Sequence, residues 1–444
     1  MVTEPTPDPF ESPSKITPDL IVGNIGELLV CPSTTHGGLG LIPNGVVAVS
    51  NGIVVWVGPA PAASRSLSAG PKTRMFNAEG KVVMPGLVEC HTHLAFGGGR
   101  AHEFQARVAG WSYAEIAAGG GGIMSTMRMT RSASREQLML ATRRRLDVML
   151  DYGITTAETK SGYGLTTVDE LRLLDIYREL DRLHEVDILP TFMGAHTIPL
   201  EHRSNPEFYV SLVVEEMLPQ VAERNLARYC DVFCEPDIFD LNQSRRVLEE
   251  ARRLGMQLLI HADQLQHAGG AELAAELGVL GASHLDHVDE DGITALTEAG
   301  VVAQLLPGAT FFLGHTDYAP ARRLLERGVR VALSTDFNPG TCYTENLWLI
   351  ATIASCNMHM DITEVVRAIT CEAATSLGIS GRAGTLQAGA QADLLVLDTD
   401  DHMDIPYHFG INPVRVVMKK GAVVRDRRKQ IRHQMSPGAG RRWA

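Results

Sequence analysis

The chain has 444 residues, of which 45% are hydrophobic and 21% are charged, a composition typical of a globular protein with a sizeable core. With 40 Lys and Arg against 52 Asp and Glu, its formal net charge is −12, which argues against a nucleic acid or an anionic membrane as the partner. No apolar run is long enough to cross a membrane. The seven cysteines are scattered and odd in number, which predicts reduced thiols in a cytoplasmic protein.

The two ends of the chain share a pattern of short apolar runs separated by turns. Residues 1–18 come first and carry five prolines among polar residues, which predicts a disordered leader. Residues 19–83 then contain short β-rich runs with a hairpin turn at residues 50–52, and residues 384–430 contain three more such runs. Neither end has enough strands to bury a sheet face alone, so we expect both ends to pair into one small β-sandwich domain.

The middle of the chain, residues 84–383, alternates strands with amphipathic helices, for example at residues 167–183, 242–254 and 271–277. The predicted strands end near His93, Thr159, Gly194, Glu235, His261, His287, Leu306 and Asp336. Eight repeats of strand and helix predict an α/β fold of the (β/α)8 barrel type. A doubly wound open sheet is the alternative that the pattern leaves open.

Imidazoles and a carboxylate stand at several of these strand ends. The first strand, predicted over residues 82–93, ends in His91 and His93, whose side chains point the same way because a strand alternates its faces. His261 ends strand five and Asp336 follows strand eight. Since barrel active sites lie at the carboxyl ends of the strands, we expect these four residues to hold one Zn²⁺ or Fe²⁺/Fe³⁺ ion. Alternatively, Asp336 caps a turn and the histidines are ordinary loop residues.

His284, in predicted strand six, is expected beside the metal ligands rather than among them. There it could hydrogen-bond to the attacking water or to a developing oxyanion. A buried histidine with a purely structural role is the alternative.

Several segments together resemble a known family. They are residues 91–98 with Arg100, residues 158–164, residues 192–196, residues 261–264 and residues 334–341. Through them the chain, from about residue 20 to residue 425, resembles the amidohydrolase superfamily and, within it, the imidazolonepropionase family. The resemblance implies hydrolysis of the cyclic amide of 4-imidazolone-5-propanoate to N-formimidoyl-L-glutamate in histidine degradation, with one zinc or iron ion.

The resemblance also implies a set of contacts to this planar substrate and its propionate tail. Arg100 offers a planar guanidinium to the carboxylate of the tail, and Tyr163 can stack on the ring or hydrogen-bond to it. The other implied contacts are Tyr113, His196, Gln264, Asn338, Gly340 and Thr341. Without the family, a surface arginine and a packing tyrosine would be equally good interpretations. The glycine run at residues 119–122 lacks the lysine of a phosphate-binding loop and is interpreted as a mobile loop over the site.

For catalysis we expect Asp336 to accept the proton of the attacking water and His284 to stabilise the oxyanion. Many members of the superfamily have a glutamate three residues after the strand-five histidine, whereas this chain has Gln264, an amide that can orient substrate but cannot carry a proton. Strand four ends without the lysine that bridges two metals in other members, so one ion is expected. Glu235 is the residue that could hold a second ion.

Two other functions remain open from the sequence. A nucleobase deaminase or another cyclic amidase would use the same ligands, but a neutral base would leave Arg100 without a counter-charge. A non-catalytic scaffold would be expected to have lost ligands, and all four are present here. The predicted partner is a small-molecule substrate, with neither nucleic acid nor membrane, and a homodimer is expected because it is the commonest assembly.

Overall fold

Three β-sheets form the framework of the protein in the computed structural model, which describes residues 15–34, 37–111, 115–116 and 119–428. The strands are β1 (Leu20–Gly23), β2 (Glu27–Leu29), β3 (Leu41–Pro43), β4 (Gly45–Ser50), β5 (Ile53–Pro59), β6 (Arg74–Asn77), β7 (Val83–Pro85), β8 (Leu87–Glu89), β9 (Ile154–Lys160), β10 (Asp187–Ala195), β11 (Tyr229–Cys234), β12 (Gln257–Ala262), β13 (Gly281–His284), β14 (Val302–Leu305), β15 (Val331–Leu333), β16 (Leu394–Leu397), β17 (Val414–Lys419) and β18 (Ala422–Asp426).

The helices lie mainly between the strands of the central sheet. They are α1 (Ala60–Ser66), α2 (Ala101–Val108), α3 (Ile123–Ser132), α4 (Arg135–Asp151), α5 (Thr167–Leu183), α6 (Pro206–Leu212), α7 (Leu218–Glu223), α8 (Leu241–Arg253), α9 (Gly270–Glu276), α10 (Glu290–Ala299), α11 (Pro307–Leu313), α12 (Ala321–Glu326), α13 (Leu347–Met358), α14 (Ile362–Ala368), α15 (Cys371–Ser376) and α16 (Asp404–Tyr407). None of the helices in the described part of the chain is long and apolar enough to span a membrane.

Helix α5 has the bounds that the sequence predicts, and α8 and α9 begin and end one residue earlier than predicted. The start of α5 is fixed by Thr166, whose side chain accepts a hydrogen bond from the N–H of Asp169. Asp240 and Gln243 form a reciprocal capping box at the start of α8. Local capping chemistry of this kind is visible in the sequence, which is why helix bounds were predictable.

The two outer sheets come from the chain ends. One has the order β5-β4-β1-β6, and the other, β18-β17-β16-β7-β2-β3, joins strands from both ends. Their facing apolar side chains form one core, which contains Leu20, Val22, Val47 and Val49 from the first sheet, and Leu28, Val83, Leu394, Val396, Val416 and Met418 from the second. The predicted β-sandwich built from both chain ends is confirmed, and the predicted hairpin turn has Asn51 and Gly52 at φ 51° and 77°. The domain boundaries at residues 83 and 384 stay predictions.

The predicted disordered leader is wrong for residues 15–18. The N–H of Ile16 donates to the carbonyl of Ser66 at 2.9 Å, and its carbonyl accepts from the N–H of Ser68 at 2.9 Å. These two backbone hydrogen bonds to residues 66 and 68 order the segment around Ile16 despite its proline-rich composition. Residues 1–14 lie outside the described part of the chain.

The central sheet contains β8 to β15, all parallel and in chain order. Its two edges meet beyond the last hydrogen bonds of β8 and β15, where Thr92 and Phe337 form a parallel bridge. The N–H of His93 donates to the carbonyl of Phe337 at 2.9 Å, and the hydroxyl of Ser334 donates to the carbonyl of His91 at 3.0 Å. The sheet is therefore closed, which confirms the (β/α)8 barrel and excludes the open sheet.

The first predicted strand, residues 82–93, is divided between two sheets. Its first half, β7, belongs to the outer sheet, and its second half, β8, is the first strand of the barrel. The crossing point is Gly86, where an added Cβ would lie 2.2 Å from Oγ1 of Thr155. The prediction of one continuous strand is therefore wrong, and His91 and His93 lie after β8, on either side of the Thr92 that bridges to Phe337.

Candidate metal centre and active site

The four predicted ligands come together at the carboxyl end of the barrel, and all four are buried. Nε2 of His91 lies 3.6 Å from Oδ1 of Asp336, and Nε2 of His93 lies 3.7 Å from the same oxygen. The ring of His261 is 4.4 Å from the ring of His91, measured between centroids. Nitrogen and carboxylate donors of this kind, around one point, suit a transition metal.

A directed chain of hydrogen bonds sets the tautomer of His91. The hydroxyl of Ser376 donates to the carbonyl of Ala373 and accepts from Nε2 of Gln304 at 2.8 Å, which fixes the amide of Gln304. The hydroxyl of Ser283 then donates to Oε1 of Gln304 at 2.7 Å and accepts from Nδ1 of His91 at 2.8 Å. His91 thus carries its hydrogen on Nδ1, and Nε2, buried and without a hydrogen-bond partner among the described residues, presents a lone pair. The residues therefore fit a metal ion.

His261 is oriented in the same way by a carboxylate. Its Nδ1 lies 3.0 Å from Oδ1 of Asp231, whose Oδ2 lies 2.9 Å from the ammonium of Lys160. Lys160 also pairs with Glu158 at 3.0 Å, and all three charged groups are fully buried. Burial alone would raise the pKa of Asp231, but His261 and Lys160 hold that pKa well below its usual range. An ionised Asp231 keeps the hydrogen of His261 on Nδ1 and leaves Nε2 free for a metal.

The histidines of the site are kept neutral, as metal ligation requires. Burial, with neighbouring cationic groups adding to it, lowers the pKa of His91, His93 and His284 well below the value of a free histidine. Burial also lowers the pKa of His261, although Asp231 acts in the opposite direction.

Asp336 lies on a loop that its own neighbours build. Its backbone is left-handed, with φ 52°, and the side-chain amide of Asn338 donates to its carbonyl at 2.7 Å. The same amide donates to Oγ1 of Thr341 at 2.7 Å, while Oδ1 of Asn338 accepts from the N–H groups of Gly340 and Thr341, both at 2.8 Å. The hydroxyl of Thr341 in turn donates to Oδ2 of Asp336 at 3.3 Å. Both the nitrogen and the oxygen of the Asn338 amide thus bond within the loop that positions Asp336. The predicted contact of Asn338 with substrate stays a prediction.

His284 stands beside the ligands on a strained turn. Its φ is 72° and that of Leu285 is 61°, a left-handed pair that is costly for residues with a Cβ. The ligand atoms of His91, His261 and His284 lie within 4.8 Å of one another, so His284 borders the metal position. Its Nδ1 is buried, lacks a hydrogen-bond partner among the described residues, and lies 3.9 Å from Oδ2 of Asp286. Its predicted role at the oxyanion stays a prediction.

Arg100 lies against the loop that carries Asp336. Its Nε donates to Glu103 at 2.9 Å, and a Cβ added at Gly340 would lie 2.5–2.6 Å from its guanidinium. The hydrogen bonds of the described residues use neither Nη1 nor Nη2, so two parallel donors remain available to a carboxylate. Glu103 also accepts from the N–H of Gly122 at 3.0 Å, which places the glycine run at residues 119–122 beside this arginine.

Tyr163 and His196 form an aromatic wall next to the ligands. The ring of His196 stacks on that of His93 at 4.9 Å with an interplanar angle of 19°, and Tyr163 lies 5.2 Å from His196. Nδ1 of His196 donates to the carbonyl of Gly162 at 2.9 Å, so its Nε2 is an acceptor. Burial lowers the pKa of His196 to about 3 and raises that of Tyr163. A neutral, planar wall of this kind suits a flat ring as ligand.

The comparisons with known proteins place this fold and site in one family. The family model described as the amidohydrolase family matches residues 82–424. The chain belongs to the amidohydrolase family. Among its curated relatives, the imidazolonepropionase of Alkaliphilus metalliredigens (strain QYMF) is 45% identical over 391 residues, which cover 88% of this chain and 92% of that protein.

A second curated relative supports this assignment, and a solved structure shares the fold. The imidazolonepropionase of Symbiobacterium thermophilum is 44% identical over 417 residues, 93% of this amidohydrolase and 98% of the relative. The crystal structure of an adenosine deaminase from Xanthomonas campestris with bound zinc has a TM-score of 0.72 at 20% identity and covers 94% of both chains. That likeness shows the fold alone.

Two other predicted substrate contacts of this amidohydrolase, Gln264 and Tyr113, stay predictions. Gln264 is half-buried at the barrel mouth, where its backbone N–H donates to Oε1 of Glu235 at 2.8 Å. Its contact with substrate stays a prediction. Tyr113 lies outside the described residues.

The structure adds residues that sequence reasoning missed. They are Lys160 and Asp231 beneath His261, and Ser283 and Gln304 beneath His91. The available signal was a polar side chain inside an otherwise apolar strand, as in β11 and β14. Such residues are buried only where a partner satisfies them, and that partner here is a metal ligand or its neighbour.

Proposed function

We propose that this amidohydrolase is an imidazolonepropionase, which hydrolyses 4-imidazolone-5-propanoate to N-formimidoyl-L-glutamate in histidine degradation. Relatives that are 45% and 44% identical over most of the chain carry that name. The structural observation that carries the proposal is the guanidinium of Arg100 beside the loop of Asp336, where Glu103 holds Nε and no described residue accepts from Nη1 or Nη2. Glu103 already pairs with Nε of Arg100 at 2.9 Å, and a short carboxylate tail offers Nη1 and Nη2 a second anionic acceptor, which a neutral nucleobase lacks.

The proposed metal is one zinc or iron ion held by His91, His93, His261 and Asp336. When bound, it lowers the pKa of a water and polarises the carbonyl to be attacked. Asp336 would receive a proton as the water oxygen forms a C–O bond to the ring carbonyl. It would then pass that proton to the ring nitrogen, so that the ring C–N bond breaks. His284 would donate to the oxyanion, while Gln264 orients the ring without taking part in proton transfer.

The decisive experiment is turnover of freshly generated 4-imidazolone-5-propanoate by purified protein. We expect the absorbance of the ring to fall and N-formimidoyl-L-glutamate to appear, and a chelator to abolish both until zinc or iron is restored. Adenine, guanine and cytosine serve as control substrates and should not react. Metal-loaded protein that leaves the imidazolone intact would contradict the proposal.

Two substitutions test the assigned roles. Asp336→Ala should abolish turnover, because it removes both a ligand and the proposed proton acceptor. Gln264→Glu should remain active, because the carboxylate can still orient the ring. An Asp336→Ala enzyme of full activity would remove Asp336 from the mechanism.

We further propose that the protein is a cytoplasmic homodimer. All seven cysteines are free, which fits a reducing compartment. Light scattering of the purified chain would test the dimer.

A further inference from the structure

Strand β11 carries a carboxylate at the barrel mouth that the mechanism does not use. Along this strand Tyr229, Asp231 and Phe233 face the barrel interior: Tyr229 packs with the interior cluster, Asp231 contacts His261, and the ring of Phe233 lies 5.5 Å from that of His261. Glu235 directly follows Cys234, the last residue of β11, and is two residues beyond Phe233. It therefore lies at the carboxyl end of the barrel, the end at which active sites of this fold are built.

Half of this carboxylate is satisfied and half is not. Oε1 of Glu235 accepts from the N–H groups of Gln264 and Leu265, at 2.8 and 2.9 Å. Oε2 is buried and has no hydrogen-bond partner among the described residues, and the whole side chain is 1% exposed. Burial raises the pKa of Glu235, with nearby carboxylates adding to the effect. A buried acceptor left open in this way is expensive unless a ligand completes it.

A second carboxylate stands on the same side of the mouth. Asp286 follows β13 beside His284, 3.9 Å away, and Oδ1 accepts weakly from the hydroxyl of Thr310 at 3.5 Å. The charges of Glu235 and Asp286 act on each other, and no lysine or arginine in the described part of the chain pairs with either. Among the described residues these two carboxylates are therefore left without a paired cation, whereas Arg100 lies after the first strand.

The substrate and product of the proposed reaction have a matching polarity. The propionate tail is negative, the ring carries one N–H donor, and opening the ring leaves a formimidoyl group, an amidine that is protonated at neutral pH. We infer that Glu235 and Asp286 form a subsite for the N–H side of the ring and for the formamidinium of the product, opposite Arg100. This inference rests on the proposed function and adds the residues that recognise the nitrogen end of the ligand.

A second metal ion is the alternative ligand for the open Oε2 of Glu235. The described side chains whose donor atoms cluster closely enough for a metal do not include Glu235. Its Oε1 is also already committed to two backbone N–H groups, which an amidinium at Oε2 leaves in place. An N–H donor therefore fits Oε2 of Glu235 better than a metal.

The test compares two inhibitors that differ by one charge. N-formimidoyl-L-glutamate is cationic at its formimidoyl end, and N-formyl-L-glutamate is its neutral isostere. Their inhibition constants are measured against turnover of the imidazolone in metal-loaded protein. For Glu235→Gln, which keeps the acceptor at Oε1, we expect binding of the formimidoyl compound to weaken tenfold or more and that of the formyl compound to change less than threefold. Asp286→Asn should shift the same ratio in the same direction.

The outcomes separate the inference from the function on which it rests. Equal losses for both inhibitors, or no loss for either, would overturn the subsite while wild-type turnover left the function standing. Two metal ions per wild-type chain, falling to one in Glu235→Gln, would overturn it in favour of a metal. Wild-type protein that does not open the imidazolone fails the proposed function instead. Glu215→Gln, at an exposed carboxylate on another face, is the matched control and should leave both inhibition constants unchanged.

Discussion

At the scale of single residues, the proposed metal ligands depend on partners outside the ligand set. The hydrogen bonds through Ser283 and Gln304 leave the lone pair of His91 on Nε2, and Asp231 does the same for His261. Each partner decides which ring nitrogen carries the hydrogen. If the wrong nitrogen carried it, the ligand would have to lose a hydrogen bond before it could bind.

This dependence predicts a loss of metal affinity when Ser283 is removed. Ser283→Ala takes away the acceptor for Nδ1 of His91 and also leaves Oε1 of Gln304 without its donor. We expect metal to bind roughly 10 to 100 times more weakly, the usual effect of losing such a partner. Competition with a chromogenic chelator measures this without any assay of activity.

Ser283→Thr is the matched control, because it keeps the hydroxyl at the same atom. Its affinity for metal should stay within a few-fold of the wild type. If Ser283→Ala bound metal as tightly as the wild type, the chain beneath His91 would have no part in ligation.

Sequence reasoning proposed the ligands but did not identify these partners, for a physical reason. A histidine that ends an apolar strand is unusual by itself, so His91, His93 and His261 stand out locally. Ser283 is an ordinary strand residue until its contact with His91 is known, and that contact joins positions 192 residues apart. The role of Asn338 was equally invisible, because its hydrogen bonds depend on the path of the loop rather than on residue type.

At the scale of elements, the apolar run at residues 82–93 shows where pattern alone fails. Hydrophobicity is continuous through β7 and β8, although the two strands belong to different sheets. Gly86, the residue at the crossing, is the one sign of the division. Its N–H donates to the carbonyl of Asp393 in the terminal segment at 2.9 Å, and Thr155 of β9 occupies the place of a Cβ.

Gly86→Ala should therefore destabilise the protein. The new Cβ would lie 2.2 Å from Oγ1 and 2.6 Å from Cγ2 of Thr155, so the strand or its neighbour must shift. Overpacking of this kind costs about 1–3 kcal/mol. We expect a melting temperature several degrees below that of the wild type, measured by calorimetry on the metal-loaded protein.

Gly23→Ala, near the end of β1, is the comparison, since a Cβ there meets nothing within 4 Å. Its melting temperature should match that of the wild type. Equal melting temperatures for both variants would show that the crossing tolerates a side chain.

At the scale of the whole molecule, the eight strands and the joining of both chain ends were predictable because each depends on local patterning. The same patterning predicted a barrel but left an open sheet as the alternative, because closure depends on the register between the first and last strands, which the bridge of Thr92 to Phe337 reveals. The attachment of the outer sheet to the barrel was not predictable. One of the contacts that make it is a buried lysine in β17.

Lys419 joins the two parts of the fold. Its ammonium donates to Oδ2 of Asp393 at 2.7 Å in the terminal segment, and to Oδ2 of Asp187 at 2.9 Å and the carbonyl of Thr155 at 2.8 Å in the barrel. Asp187 begins β10, so the junction lies at the amino end of the barrel, away from the active site. Residues at the amino end of a (β/α)8 barrel generally contribute to stability rather than to catalysis.

Lys419→Met should destabilise the protein strongly and make it more sensitive to acid. The substitution leaves Asp393 buried without its cation, for which the expected cost is about 3–5 kcal/mol. Burial by itself raises the pKa of Asp187, but Lys419 and its neighbours hold that pKa below its usual value of 3.8. A depressed folded pKa stabilises the protein above the unfolded pKa, and this stabilisation is lost as the pH falls through the folded pKa. Without Lys419 the pKa of Asp187 rises, so the acid-unfolding midpoint should move to higher pH.

Lys420→Met, at the exposed neighbour that lies 3.3 Å from Oδ1 of Asp187, should cost less than about 1 kcal/mol and leave that midpoint almost unchanged. Circular dichroism across a pH series measures both midpoints, and coincident curves for the two variants would show that the buried ammonium is not what joins the sheet to the barrel.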